Sequence, residues 1–389
     1  MSASATGIRG TTQLGVTRKY DVADVISLLD VNRYPLMAIL TNAGKDPVSK
    51  QGKAMKKKET TDPQFKWFED EYQKKVLTAT GNVDPDGGNL TLTAQTTYLQ
   101  IGDVILVSAQ KWVFPVTAIT DENVVVVGAE LGGATGAAAS AAGDVVILGN
   151  ANEEGATLRE IKGTTIEEVY NYCQIFRTPI GITETARNTK GWTKENDFDY
   201  QSKKKAVEHM IDIERAFLFG KKSISTAGTH PKRYTGGIIP TIETYATANV
   251  DTEAEFEAWL ESAFAHGNTE KYLLASAAVV SMINGWAKGK LETLSTDKTY
   301  GLRITRYESP HGTVNIIKHP LLTGTTYGYY GVMLDMECLT YRYLSSRDTK
   351  LLTNRQAPGE DSRIDEYLTE CGLQFEQESR HAVMSKSSL

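Results

Sequence analysis

Cysteine is scarce in this chain, and its placement rules out several kinds of site. Three cysteines, Cys173, Cys338 and Cys371, lie far apart among 389 residues, and their number is odd. Such a pattern excludes a disulfide framework or a zinc knuckle and is typical of a reducing compartment. None of the six histidines pairs with a second residue at metal-ligand spacing. We therefore expect no metal and no other cofactor.

Long apolar runs and an excess of positive charge are also missing. The longest mostly apolar run, Tyr272–Trp286, is interrupted by polar residues and falls short of the ~18–20 residues that a membrane helix needs. The N-terminus, MSASATGIRG, has no apolar signal core. With a net charge of −6, the chain has no global basic field for nucleic acid. We expect a soluble protein, made in the cytoplasm, with no membrane partner and roughly two or three domains.

Catalytic motifs are likewise absent. The Gly/Ala-rich loop at 128–143 lacks the Lys-Ser/Thr of a P-loop, and no G-x-S-x-G occurs. The segment Asp84–Asn89 resembles the start of a calcium loop, but the later bidentate glutamate is missing, so a hairpin turn is favoured. An enzyme built on two distant carboxylates stays open, because such pairs meet only in the fold. The sequence predicts no catalytic residue.

What the chain does have is one long amphipathic helix, predicted from Asp197 to Phe219. Its apolar residues recur at three- and four-residue spacing, from Tyr200 to Leu218, and charged residues fill the other side. Gly220 stands where a left-handed C-terminal cap is expected. About 22 residues make a rod of roughly 33 Å. We call it the spine helix and expect its apolar stripe to pack on the C-terminal strands.

Short β-rich runs at 76–150 differ from the charged sequence on either side. They are separated by turn signals and predict five strands, at Leu90–Leu99, Asp103–Val107, Trp112–Ile119, Val124–Val127 and Asp144–Leu148. Five short strands at near-regular spacing favour a small barrel or sandwich inserted into the chain.

The C-terminal half mixes helices and strands. Residues 241–325 predict a helix at Glu253–His266, a strand followed by a second helix, and a hairpin around 309–312. The tail predicts strands at Val332–Leu344, Arg363–Cys371 and Leu373–Ser385. Together the segments predict an α+β protein with long excursions.

Residues 45–75 contain a basic run, an aromatic patch and an acidic run in succession. Lysines beside aromatics are typical of nucleic-acid binding, but the acidic run that follows would repel phosphates. A subunit contact fits better, with the basic run of one copy meeting the acidic run of another and the aromatics buried between them. A solvated loop remains an alternative. The predicted interface residues are Lys56, Lys57, Lys58, Phe65, Trp67, Glu69, Asp70 and Glu71.

Four stretches in matching order resemble the major capsid proteins of tailed phages with the Hong Kong 97-type fold. They are FKWFEDEY at 65–72, YNYCQIFRTPIGITET at 170–185, EHMIDIERAFLFG at 208–220 with RYTGGI at 233–238, and YLTECGLQFEQESRHAVM at 367–384. Each is weakly specific alone, and together they extend over most of the chain except the block at 76–150.

The resemblance implies four regions. These are an N-terminal arm at 1–45, an extended loop at 46–178 carrying the inserted β domain at about 76–150, a peripheral domain at 179–240 with 326–389, and an axial domain at 241–325. It further implies hexamers and pentamers that close into an icosahedral head around double-stranded DNA, contacted non-specifically. Scaffolding, portal and decoration proteins are implied partners. The virion is the implied location, after assembly in the host cytoplasm.

A second hypothesis gives the inserted β domain a binding role. Trp112 and Phe114 would then grip a carbohydrate, a host surface or a decoration protein, although strand aromatics are more often core residues. Neither hypothesis requires an enzyme.

Overall fold

The computed structural model describes Leu36 and residues 56–93, 96–133, 140–141, 143–157, 159, 161–189, 197–286, 291–293 and 304–387. The predicted N-terminal arm lies outside these residues except for Leu36. Within them, no helix is both long and apolar enough to span a membrane. The described chain forms two compact units, one from residues up to Trp67 together with Val169 onward, and one from Phe68–Glu168.

Helices and strands follow the predicted α+β pattern. The described helices are α1 (Glu184–Asn188), α2 (Asp197–Phe219), α3 (Glu253–Ala263), α4 (Ala277–Trp286) and α5 (Gly324–Tyr327). Strands before the spine helix α2 are β1 (Lys56–Thr60), β2 (Gln64–Glu69), β3 (Val76–Thr78), β4 (Asn82–Val83), β5 (Gly88–Thr91), β6 (Asp103–Val107), β7 (Trp112–Ile119), β8 (Val124–Val127), β9 (Ser140–Ala141), β10 (Asp144–Asn150), β11 (Glu167–Tyr172) and β12 (Gln174–Thr183). After it come β13 (Ser223–Ser225), β14 (Lys232–Tyr234), β15 (Ala246–Thr247), β16 (Glu270–Ala275), β17 (Leu291–Thr293), β18 (Ile304–Ser309), β19 (Gly312–Lys318), β20 (Tyr330–Leu334), β21 (Leu339–Leu344), β22 (Lys350–Leu352), β23 (Ser362–Phe375) and β24 (Ala382–Ser385).

The spine helix packs on a five-stranded sheet ordered β1-β21-β23-β12, with β22 also paired to β23. Its buried residues Ile213, Phe217 and Leu218 share one hydrophobic core with residues of β21 and β23. The ring of Phe217 meets the ring of Tyr341 edge-on, with centroids 6.0 Å apart. The predicted packing of the apolar stripe on the C-terminal strands is thus confirmed, and so are the predicted helix bounds.

The C-terminal end of the spine helix is capped differently from the prediction. Gly220 does not have a positive φ, and its N–H continues the helix by donating to the Ala216 carbonyl. The last carbonyls accept instead from the segment at 237–239, with Ile238 N bonded to Phe217 O at 2.8 Å and Ile239 N to Leu218 O at 3.0 Å. Glycine is needed at 220 because the crossing chain comes so close, with the Thr235 carbonyl oxygen 2.6 Å from an ideal Cβ position.

A methyl group at Gly220 should therefore destabilise the fold. We expect Gly220→Ala to lower the free energy of unfolding by about 2 kcal/mol, because the new Cβ would overlap two carbonyl oxygens. Gly285→Ala is the matched control, since its Cβ would meet no atom within 4 Å and alanine favours the helix that holds it. Urea unfolding followed by circular dichroism measures both variants. Equal stability of the two would contradict the crowding argument.

A seven-stranded sheet, ordered β15-β24-β20-β16-β19-β18-β17, forms the other layer of this unit. Helices α3 and α4 supply Phe256, Trp259, Val279 and Ile283 to a second core on it. The predicted hairpin around 309–312 is confirmed as β18–β19, with Ser309 opposite Gly312.

Two predicted strands are each divided between the two sheets. The predicted strand Val332–Leu344 breaks at Asp335, so β20 lies in the seven-stranded sheet and β21 in the five-stranded sheet. The chain breaks likewise between β23 and β24, where Gln377 adopts a left-handed conformation. The Asp335 N–H donates to the His381 side chain at Nδ1, and the Glu376 N–H donates to the Cys338 carbonyl, so the two crossings are held side by side. The segment 326–389, predicted as part of the peripheral domain, therefore contributes strands to both sheets.

Two ionisable side chains are buried beside these crossings. The Lys271 ammonium donates to the carbonyl oxygens of Ala263, His266 and Arg380 at 2.6, 2.7 and 2.6 Å, and burial lowers its pKa to about 8. His381 is fully buried and stacks on Phe375 with ring centroids 4.3 Å apart. Burial lowers the pKa of His381 from 6.5 to about 3.

The depressed pKa of His381 predicts acid sensitivity. Between pH 6.5 and 3 the unfolded chain binds a proton at this site that the folded chain does not, so stability falls as pH falls. We expect His381 to contribute a loss of about 4 kcal/mol across that range. Urea unfolding of the unassembled subunit from pH 7 to 4 should show a shallower decline for His381→Asn than for the exposed-site control His311→Asn. Parallel declines would contradict the assignment.

The second unit, Phe68–Glu168, contains the predicted barrel. Its six-stranded sheet is ordered β3-β10-β6-β7-β8-β5. The two end strands of this sheet, β3 and β5, are joined by hydrogen bonds between the residues next to them, which closes the barrel. The Thr80 N–H donates to Thr91 O at 3.0 Å, and the Thr93 N–H donates to Thr78 O at 3.1 Å. The predicted strands at 103–107, 112–119 and 124–127 are confirmed, whereas the predicted Leu90–Leu99 strand is shorter, ending at Thr91.

The unit extends beyond the predicted block because the chain after β10 also binds the barrel. We call the part of this chain that contains Arg159, Ile161, Lys162 and Ile166 the return segment. Arg159 Nη2 donates to Asp103 Oδ1 at 2.8 Å, and Lys162 Nζ donates to Leu99 O at 2.9 Å.

The barrel interior accounts for the aromatics that suggested a binding platform. Phe114 is fully buried in the barrel core, and Trp112 packs against that core with its ring edge-on to Phe114. Phe114 is therefore a core residue and is not available to grip a ligand. The segment at 84–89 is a turn, as predicted, with Asp84 Oδ1 accepting from Asp86 N at 2.9 Å. No group of metal-binding side chains occurs in the described residues.

Candidate subunit-contact surface

The basic run Lys56–Lys58 forms strand β1, at the edge of the five-stranded sheet, parallel to β21. Successive side chains alternate between the faces of a strand, so Lys57 lies opposite to Lys56 and Lys58. The Lys57 ammonium pairs with Asp348 and lies 5.5 and 5.0 Å from the ring centroids of Tyr341 and Tyr343. Lys57 is thus held within its own chain, while Lys56 and Lys58 are exposed at the sheet edge.

The aromatics Phe65 and Trp67 are buried in their own subunit, which corrects the prediction that they await a partner. Their exposed fractions are 4% and 9%, and their rings stack with centroids 6.0 Å apart beside Cys173. Phe65 lies against the backbone of β23, where an ideal Cβ on Gly372 would be 2.8 Å from the Phe65 ring. Gly372 leaves room for the Phe65 ring. The two residues are about 300 positions apart in the sequence, so no periodicity within one segment could have predicted this contact.

The next five residues, Phe68–Tyr72, form what we call the acidic-aromatic segment. Phe68 is 71% exposed and Tyr72 is fully exposed, and three carboxylates lie between them. Asp70 accepts a hydrogen bond from Thr164 at 3.3 Å. Ile161 and Ile166, on the return segment of the same unit, are also exposed, at 93% and 60%. These apolar side chains are not covered by their own chain.

Sequence reasoning missed the role of two amides in the stretch NYCQIF. Asn171 Nδ2 donates to Leu373 O at 2.7 Å and to Gly236 O at 3.1 Å, while Asn171 Oδ1 accepts from Gly236 N at 2.8 Å. Gln174 Oε1 accepts from Thr235 N at 3.2 Å. These bonds join three parts of the chain: the strands β11 and β12, the segment that follows the spine helix, and β23. Both amides lie in the stretch at 170–185 that resembles the capsid family, which is the signal that could have found them.

Charged and polar residues on the buried side of the spine helix were also missed. Glu214 Oε1 lies 2.6 Å from His319 Nε2 and accepts from the backbone N–H of Leu36 at 3.1 Å, and both side chains of the Glu214–His319 pair are fully buried. His319 Nδ1 accepts from Leu321 N, so its proton is on Nε2 and faces the carboxylate. One turn earlier, the His209 ring bridges Thr178 and Thr369 at 2.8 and 2.7 Å, and burial lowers its pKa.

Comparison with known proteins agrees with this architecture. The family described as SU10 major capsid protein matches residues 5–388. The major capsid protein of Pseudomonas phage PaMx41 is 24% identical over 237 residues, and the match spans 56% of each chain, about half the length of that relative.

Two solved capsid structures share the fold. The capsid of a native GTA particle, computed with C5 symmetry, matches with a TM-score of 0.53 and 8% identity over 99% of this chain and 100% of that one. The chain of Mycobacterium phage Bobi matches with a TM-score of 0.51 and 6% identity over 98% and 99% of the two chains.

The spine helix, the paired strands β2 and β11, and the two sheets define a capsid subunit of the Hong Kong 97 type. The chain belongs to the SU10 major capsid protein family. Membership of a structural family implies a structural and non-enzymatic role.

The neighbouring aromatics Trp67 and Phe68 should behave oppositely on mutation. We expect Trp67→Ala to cost about 3 kcal/mol of folding stability, because it empties a buried site. Phe68→Ala should change stability by less than about 0.5 kcal/mol, because the ring faces solvent. Urea unfolding gives the stabilities, and sedimentation gives particle yield, which should fall for Phe68→Ala. Two equally stable variants would contradict the burial difference.

Proposed function

We propose that this chain self-assembles into hexamers and pentamers that close into the icosahedral head of a tailed phage around double-stranded DNA. The observation that carries the proposal is the exposed acidic-aromatic segment, in which Phe68 is 71% exposed and Tyr72 is fully exposed. Exposed apolar side chains of this kind, flanked by charged residues, mark interaction sites. Membership of the capsid family supplies the partner, which is another copy of the same chain.

The charged ends of the extended loop are proposed as parts of the subunit contacts. Lys56 and Lys58 present positive charge at the edge of a sheet, and an edge strand with unpaired backbone groups is suited to pairing with another chain. Glu69, Asp70 and Glu71 present the negative charge. Charges at subunit contacts set register and suppress wrong contacts more than they raise affinity, whichever charged group of the neighbour each of them meets.

The remaining assignments follow the family resemblance. We propose that residues 1–45 form an arm over a neighbouring subunit, with Leu36 anchored at Glu214. The five-stranded sheet with the spine helix would be the peripheral domain, and the seven-stranded sheet the axial domain. Assembly would take place in the host cytoplasm, with separate scaffolding, a portal, and decoration proteins as partners. DNA would be contacted without sequence preference.

Purified wild-type chain should form closed particles visible by electron microscopy, and their absence under scaffold-supplemented conditions would contradict the proposal. Reversing both exposed charges of β1, with Lys56→Glu/Lys58→Glu, should lower particle yield about tenfold while leaving the unfolding curve unchanged. The double variant Lys318→Glu/Lys350→Glu is the control, since it makes the same charge change at exposed positions elsewhere in this unit. Equal yields of the two double variants would remove β1 from the contact.

A further inference from the structure

A surface cavity of about 550 Å³ lies at the C-terminal end of the spine helix. Ala216, Phe219 and Tyr234 provide its apolar lining, and Arg215 and Lys221 provide positive charge. Tyr234 is 44% exposed. A cavity with apolar walls and cationic edges fits an aromatic side chain that is flanked by carboxylates.

The stretch of sequence that supplies most of this lining is rich in cations. From Arg215 to Ile242 the sequence contains no aspartate or glutamate, although the whole chain has a net charge of −6. The same stretch contributes five cations, Arg215, Lys221, Lys222, Lys232 and Arg233. Asp212, on the same helix, pairs with Arg215 at 3.7 Å with both side chains more than half exposed, and exposed pairs of this kind hold little energy.

The hairpin β13–β14, which supplies Tyr234, is exposed along nearly its whole length, from Lys221 to Tyr234. Ile224 on its first strand is 43% exposed, so apolar surface accompanies the charge. An isolated two-stranded hairpin is marginally stable in water. The hairpin is therefore suited to being held by a further partner.

The acidic-aromatic segment has the complementary chemistry. It places two exposed rings, Phe68 and Tyr72, at the ends of three consecutive acidic residues. Its side chains match both the apolar lining and the cationic edge of the cavity, which neither a purely acidic nor a purely apolar segment would do.

We propose that the acidic-aromatic segment of one subunit docks in the cavity at the C-terminal end of the spine helix of a neighbouring subunit. The contact rests on the proposed self-assembly and specifies where one of its interfaces lies. Tyr72 fills the apolar lining, and the carboxylates of residues 69–71 lie against Lys221 and Arg215.

Two other cationic surfaces fit the segment less well. Strand β1 offers Lys56 and Lys58, but its third lysine, Lys57, already pairs with Asp348 in its own chain. A second cavity, of about 400 Å³, is lined by Arg177, Arg347 and Arg355. Two of these arginines are already paired within the chain, Arg177 with Glu366 and Arg347 with Glu370 at 2.6 Å. Their charge is neutralised before a partner arrives.

Disulfide trapping tests the contact directly. The three native cysteines are buried, and burial raises the pKa of Cys173 to about 12, so the native thiols give little background. Chains with Tyr72→Cys are co-assembled with chains carrying Lys221→Cys and oxidised, and a disulfide forms only if the two Cα atoms come within about 7 Å. Mixing single variants ensures that any dimer joins two subunits. We expect a covalent dimer in the mixture and none when either variant assembles alone.

The control replaces Lys221→Cys by Arg355→Cys, at the second cationic cavity. Two outcomes would overturn the docking while leaving self-assembly intact. In the first, particles form normally but no disulfide links positions 72 and 221. In the second, the disulfide links positions 72 and 355 instead. Failure of wild-type chain to form particles would instead overturn the proposed function. The dimer should also form in particles emptied of nucleic acid. If Lys221 contacts DNA rather than a neighbouring subunit, particles with Lys221→Cys should contain less DNA and give no dimer. That outcome would also overturn the docking.

A charge exchange provides a second readout that does not depend on cysteine geometry. Glu71→Lys and Lys221→Glu should each lower particle yield, and the combined variant should restore it at least severalfold. If the fractional yield of the combined variant is only the product of the two single-variant yields, the pairing of residues 71 and 221 is overturned. Urea unfolding of each subunit confirms that these exposed substitutions leave the fold unchanged.

Discussion

Burial of one face of the spine helix is the constraint on which the rest of the main unit depends. That face shares a single core with β21 and β23 of one sheet and with Leu274, Ile317 and Val332 of the other. Both sheets are therefore held through the same 23-residue helix. The helix ends where it does because the chain crosses its last carbonyls at 237–239, and glycines at 220 and 237 permit the close approach. Neither helix propensity nor a left-handed cap sets this end.

Buried polar groups give this core its specificity. Asn171 bonds to backbone groups of Gly236 and of Leu373, on two separate segments, and the Glu214–His319 pair joins the helix to the chain after β19 and to Leu36. A buried polar group is costly unless its hydrogen bonds are made. These residues therefore favour one arrangement of strand, helix and arm over others with the same apolar contacts.

The two units differ in how their sheet edges are covered. The barrel has its own core and closes its own sheet, so its strands leave no long free edge. The main unit keeps β1 at a sheet edge, with Lys56 and Lys58 exposed, and presents a cationic cavity beside the spine helix. A subunit that assembles with its own copies needs surfaces of the second kind, where apolar groups and charges remain uncovered.

The sequence by itself determined the elements whose signal is local. The spine helix follows from three- and four-residue spacing, and the barrel strands follow from β-branched runs between turn residues. It also determined the family, because four short stretches in order point to one fold. Only the tertiary structure decided that Phe65 and Trp67 are core residues while Phe68 is exposed, since Gly372 and Cys173 come from distant strands. It likewise decided that Lys57 is paired and that the tail crosses between two sheets at Asp335 and Gln377. Burial and pairing depend on residues hundreds of positions apart, and no periodicity within one segment contains that information.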